Sequence, residues 1–154
     1  MKLRATLSLL LGMTVCTVSH AANWYLTGTK AGFAFYVNLD EIQCQGTLCT
    51  TWQAHITTDT SEEYDVFMSR TQFDCKQKKH ADLARITYKN AKLIQSLTAP
   101  YIKWSYAVPD SQGAAIMDCV CNPKKRDPQY IRNYKFLPKQ SRQILKDLRA
   151  GFIP

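Results

Sequence analysis

Polar and apolar residues alternate with a period of two through most of the first hundred residues after the N-terminal stretch. The pattern is clearest over Leu48–Thr57. There Leu48, Thr50, Trp52, Ala54 and Ile56 share one side, and Cys49, Thr51, Gln53, His55 and Thr57 share the other. A period of two is the side-chain period of a strand. Trp24–Thr29 and Phe33–Asn38 read as two further strands around a break at residues 30–32, with Phe33, Phe35 and Val37 on a common face. Val66–Asp74 alternates again and aligns Phe67, Phe73 and Cys75. Leu83–Tyr88 and Lys92–Leu97 form a hairpin around Asn90, and Tyr101–Val108 is extended. Residues 58–65 are polar and acidic, an exposed loop.

The period then changes. Pro109 ends the sheet region, and Asp110 or Ser111 caps a helix that runs to about Cys121. On a helical wheel Gly113, Ile116, Met117, Val120 and Cys121 fall on one side, whereas Asp118 and Cys119 fall away from it. The wheel therefore selects Cys121 as the cysteine that faces the sheet. Strands followed by a single helical stripe predict one α+β domain, an antiparallel sheet with a C-terminal helix packed on one face.

The chain has 154 residues and six cysteines. Residues 1–21 read as a signal peptide: Lys2 and Arg4, a mostly apolar run from Leu7 to Val18, then Ser19-His20-Ala21 before the cleavage point. The apolar run is shorter than the roughly 20 residues that span a bilayer, so the mature chain is expected to carry no integral membrane segment. A lipid anchor on Cys16 is disfavoured by Val15, where a lipobox has a small residue. Export puts Cys44, Cys49, Cys75, Cys119 and Cys121 in an oxidising compartment, where disulfides persist. Gly46 between Cys44 and Cys49 reads as a hairpin tip closed by a disulfide. Five cysteines leave one over, and the wheel makes it Cys119, pointing sideways or outward as a free thiol or a link between two chains of a homodimer.

Charge divides the molecule. Residues 22–121 carry nine Lys and Arg against ten Asp and Glu, whereas residues 122–154 carry nine against two. The basic character belongs to a C-terminal extension with four prolines, no strand pattern and one short amphipathic helix over residues 141–150, with Ile144, Leu145 and Leu148 on one side. Lys124, Lys125, Arg126, Arg132, Lys135, Lys139 and Arg142, interleaved with Tyr130 and Tyr134, suit a polyanion or an anionic envelope component. The alternative is a disordered or self-docked extension.

No constellation for catalysis or metal binding stands out. The cysteines with His55 or His80 lack the paired spacing of structural zinc, and disulfides explain them more simply. Cys119 as a nucleophile needs a base brought to it in space, and no motif indicates one. Asp59, Glu62, Glu63 and Asp65 lack the alternation of a calcium loop. The reading is a non-enzymatic protein without a cofactor.

Several pieces in order resemble the surface-adhesin protein E domain, a small exported domain of Gram-negative bacteria. They are the opening Trp24-Tyr25-Leu26, Tyr36-Val37 followed by Asp40 and Ile42, the Trp52 strand, Phe73-Asp74-Cys75, Trp104 before Pro109-Asp110-Ser111, and the closing Val120-Cys121. The resemblance covers residues 24–121 and implies a helix tied to the sheet by a disulfide which, carried over residue by residue, joins Cys75 to Cys121. Cys119, the Cys44–Cys49 pair and the basic extension lie outside it. It further implies a binding module that contacts host extracellular-matrix proteins, at the outer surface or in the periplasm.

Overall fold

The computed structural model describes residues 21–30, 32–57, 59, 61–135 and 137–150. The expected signal peptide with Cys16 lies outside them, Ala21 apart, as does the side chain of Leu148. The alternating stretches form strands β1 (Ala22–Lys30), β2 (Phe33–Asn38), β3 (Gln43–Gln45), β4 (Leu48–Thr57), β5 (Val66–Asp74), β6 (Lys79–Lys89), β7 (Lys92–Thr98) and β8 (Ser105–Tyr106). Helix α1 (Gln112–Cys121), strand β9 (Ile131–Tyr134) and helix α2 (Leu137–Arg149) complete the order. The pairings are antiparallel, in one sheet ordered β7-β6-β5-β4-β2-β1-β9, with β3 on β4 and β8 on β6. The extended segment expected over Tyr101–Val108 contributes only the two residues of β8.

Each face of the sheet carries a helix. Tyr36 and Val37 are neighbours in β2, yet both are buried, in different apolar clusters. The Tyr36 side gathers Trp24, Leu26, Ala34, Ala54, Ile56 and Val66 under Leu137 and Ile144 of α2. The Val37 side gathers Cys49 and Phe73 under Ile116, Met117 and Val120 of α1. Two covered faces explain why β4 buries residues of both parities, Cys49, Thr51 and Gln53 as well as Ala54 and Ile56.

Local chemistry sets the ends. The Ser111 hydroxyl accepts from Ala114 N at 3.2 Å and caps α1. Asp74 Oδ1 accepts from the amides of Lys76 (3.0 Å) and Gln77 (2.9 Å), which turns the chain out of β5 and aims Cys75 at α1. Cys75 joins Cys121 with a Cα separation of 5.6 Å. Cys44 and Cys49 face each other across β3 and β4 and are bonded, and Gly46 at the tip holds a left-handed φ of 60° that suits glycine. The two bridges adjoin, with Cys75 Sγ 3.9 Å from Cys49 Sγ.

Two expectations are corrected. The C-terminal residues contain a strand: β9 pairs with β1 (Trp24 opposite Arg132), and α2 follows it, starting four residues before the expected helix. The extension is thus self-docked. Cys119 does not point outward. It is the free cysteine among the described residues and is 6 % exposed, a member of the same buried cluster as Ile116, Met117 and Val120, and Arg126 of the chain returning past α1 donates to the carbonyls of Cys119 (2.8 Å) and Val120 (3.4 Å).

Candidate functional site

Helix α1 covers only part of its face. Beyond its first turn, cross-strand neighbours Phe35, His55 and Phe67 form a half-buried row over β2, β4 and β5. Phe35 and His55 meet edge to face at 4.9 Å between ring centroids, and His55 and Phe67 lie 5.4 Å apart. Phe33 extends the row by stacking on Phe35, and the Arg85 guanidinium sits 5.8 Å over the Phe67 ring.

Between this row and α1 the sheet turns polar. Gln53 Nε2 donates to Thr71 Oγ1 at 2.8 Å, and Thr71 Oγ1 donates to Asp82 Oδ1 at 2.9 Å. Ser69 Oγ lies 3.1 Å from Thr71 Oγ1, and Asp82 Oδ2 accepts from Arg85 Nη2 at 2.9 Å. Gln53, Ser69 and Thr71 are buried. Buried hydroxyls and amides require partners, and this chain of bonds supplies them. Two imidazole nitrogens are left out of it: His55 Nε2 and His80 Nδ1 are enclosed and have no hydrogen-bond partner. Burial pushes the His55 pKa down from 6.5, with the Asp82 carboxylate opposing.

These groups bound a cavity of about 210 Å³, walled by Phe35, Phe67 and Phe73 and closed at one end by Gln112 and Gly113 of α1. His80 and Asp82 also line a wider groove of about 670 Å³ that runs past Arg85 to Leu97, Tyr101 and Lys103. Leu97 and Tyr101 of its lining are exposed apolar side chains, and Ile102 and Tyr106, next in sequence to its lining residues Tyr101, Lys103 and Ser105, are exposed as well. β7 at the sheet edge is exposed along its whole length. Single exposed apolar residues are ordinary, whereas several beside a groove suit a contact surface.

The cations singled out in the sequence are dispersed. Lys124 is exposed, Lys125 pairs with Asp118 at 3.2 Å, and Arg126 is spent on the carbonyls of α1. Arg132 donates to the carbonyls of Gln129 and Ile131. Lys135 and Lys139 are exposed, and Arg142 donates to Asn90 Oδ1 at 2.6 Å. Lys139, Arg142 and Lys146 share the outer side of α2, on the opposite sheet face from α1. Cys119 does not meet the requirements of a nucleophile, since burial pushes its thiol up to about 11. Among the described residues no group of three or more His, Cys, Asp or Glu is placed to hold a metal ion.

The alternation puts Phe33 and Phe35 on one face and Phe67 and Phe73 on one face, but nothing in it marks them as a site. The signal for the site was there in His55, Gln53 and Thr51, polar residues on a strand side that also carries aromatics in its neighbours.

The molecule is a disulfide-tied antiparallel sheet, one face of which α1 covers only in part. The family model for surface-adhesin protein E matches residues 24–122, and the chain belongs to that family. Membership puts it in the class of exported, cell-surface adhesins. The match ends after α1, so β9 and α2 lie beyond it. No curated protein and no solved structure matches the chain. No helix among the described residues is long and apolar enough to cross a membrane.

Proposed function

We propose that the chain is an exported, non-enzymatic binding module that contacts host extracellular-matrix proteins through the uncovered half of the α1 face. The carrying observation is the groove that runs past Arg85 to exposed Leu97 and Tyr101 and shares His80 and Asp82 with the smaller cavity between the aromatic row and α1. Interfaces draw their affinity from aromatic and aliphatic anchors in such recesses. The test is binding of the purified chain to immobilised matrix proteins, with antibody labelling of intact cells to establish display. Phe67→Ala and Tyr101→Ala are expected to weaken binding about tenfold or more. Undiminished binding by both variants refutes the groove as the contact.

A second reading has its own support. Lys139, Arg142 and Lys146 recur at helical spacing on the outside of α2, near exposed Lys135, and no acid lies in the helix's first turn. That stripe suits a polyanion or envelope component in the periplasm. Such binding falls steeply with salt and is lost in a Lys139→Glu, Lys146→Glu variant, whereas the groove contact persists in both conditions.

A further inference from the structure

We propose that the open edge of β7 is a strand-addition site for an extended acidic segment of the protein partner. The inference rests on the binding reading above and names how the partner is held beside that groove. β7 ends the sheet order and pairs with β6. Its residues are exposed throughout, and Leu93, Ile94 and Leu97 are each more than half exposed. Apart from Leu48, the large apolar side chains left exposed among the described residues lie between Leu93 and Val108. Sheet edges are ordinarily blunted by prolines, charges or shortness. The other edge, β9, has only four residues, whereas Leu93–Thr98 contains neither proline nor charge.

Backbone geometry fixes what the edge can take. Ala99 N donates to Leu83 O at 2.8 Å, and Thr98, Leu97 and Ser96 stand opposite Ala84, Arg85 and Ile86. Bonds in an antiparallel ladder fall on every second pair. Leu97 therefore bonds to β6, whereas Ser96 and Thr98 turn their N–H and C=O groups to the open edge. A bulge at Ile94 bounds this regular stretch on one side, and Pro100 bounds it on the other. Donors and acceptors alternating along an edge are matched by another extended chain. The hydrocarbon of a lipid surface would leave them unsatisfied. Charge then selects the chain. Residues 92–108 contain Lys92 and Lys103, both exposed, and no acid. Asp65 and Asp82 are paired with Lys89 and Arg85 of β6. A second copy docked edge to edge would bring the same lysines, whereas an acidic segment neutralises them. Leu97 and Thr98 also line the groove past Arg85, so an added strand continues that contact.

The full chain, isotopically labelled, is titrated with an end-blocked octapeptide that alternates valine and threonine between terminal glutamates. The backbone amides of Ser96 and Thr98 are followed by NMR. The expected result is a saturable shift and slowed hydrogen exchange at both, about tenfold tighter than with the same peptide N-methylated at its central amides on both edges. Lysine in place of the glutamates is expected to weaken binding about threefold. Ser96→Pro removes one outward N–H without removing a bond to β6, and a loss of about fivefold is expected. Leu97→Glu leaves the backbone unaltered, repels the acidic peptide and is expected to weaken it comparably, so the test survives a proline variant that fails to fold. Absence of a saturable shift, equal affinity of the N-methylated peptide, or a shift of these amides by phosphatidylglycerol vesicles and not by the peptide overturns the proposal. A dimer through β7 that excludes the peptide overturns it as well. If the peptide is held at β7 but no matrix protein binds the chain, the edge assignment stands and the adhesive reading fails. If matrix binding persists with the edge saturated by peptide, the edge is not the contact and the adhesive reading stands.

Discussion

The two helices of this molecule cover opposite faces of one sheet and are held there by different physics. α2 has thirteen residues, carries no cross-link, and stays by burying Leu137 and Ile144 in the larger of the two cores. α1 has ten residues, is pinned through Cys121, and buries Ile116, Met117, Cys119 and Val120. The cross-link adds to that burial. α1 nevertheless stops short of the row of Phe35, His55 and Phe67, so the face under it keeps an unsealed part with polar groups at its floor, and that part holds the candidate site.

The comparison breaks most completely if α2 and β9 are removed. Truncation after residue 130 uncovers Trp24, Leu26, Tyr36 and Ile56 and frees the edge of β1. Each large apolar side chain returned to water costs about 1.5–3 kcal/mol, so the sum rivals a whole domain's stability of about 5–15 kcal/mol. The expected outcome is an aggregating chain without a cooperative urea transition. A truncated chain that melts like the full one would make α2 an ornament. The same arithmetic makes deletion a poor test of the basic residues, because it removes part of the fold with them.

Next in size is the tether. The Cys75–Cys121 bridge spans 46 residues, and the chain-entropy model gives its loss about 4 kcal/mol. The double variant Cys75→Ser, Cys121→Ser is expected to lower the urea midpoint accordingly. Hydrogen exchange should quicken across residues 112–121 before it quickens across residues 137–149. Uniform quickening would mean that both helices are held by one cooperative core rather than by separate means.

Much of this contrast is written in the sequence. Alternation reveals β4 and β5 because their side chains meet packed surfaces at every second position, and Ser111 announces α1 because a helix start needs a side-chain acceptor. β9 left no such mark: Ile131-Arg132-Asn133-Tyr134 is short, polar and half-buried, and its pairing partner β1 lies more than a hundred residues earlier. Cys119 misled for a related reason. A wheel measures the face a helix turns to the sheet, whereas Cys119 is buried in a cluster against which residues remote in sequence, Tyr25, Leu39 and Ile42, also pack. The site was least legible of all, since no local pattern shows where a helix stops covering a sheet.

The buried thiol gives a smaller effect. With its pKa pushed up to about 11, Cys119 is a neutral thiol at pH 8, and iodoacetamide is expected to label it only when the chain is unfolded. Cys119→Ala removes one sulfur from the core beneath α1 and should cost about 1 kcal/mol. Fast labelling of the native chain, or a disulfide-linked dimer through Cys119, would return this residue to the surface.

The smallest effect tests the open half of the face through His55. Burial opposes the imidazolium, so the folded pKa lies below the unfolded value of about 6.5. Between those two values the unfolded chain binds more protons than the folded one, and stability rises with pH. The contribution is therefore complete above pH 6.5 and declines as pH falls through the folded pKa. His55→Phe, which cannot take up a proton, is expected to flatten this part of the pH profile of the urea midpoint. His80 lies in the same cavity, and its pairing with β8 and contact with Phe73 are unaltered by that variant. An unchanged slope in His55→Phe would mean that His55 reaches water when protonated.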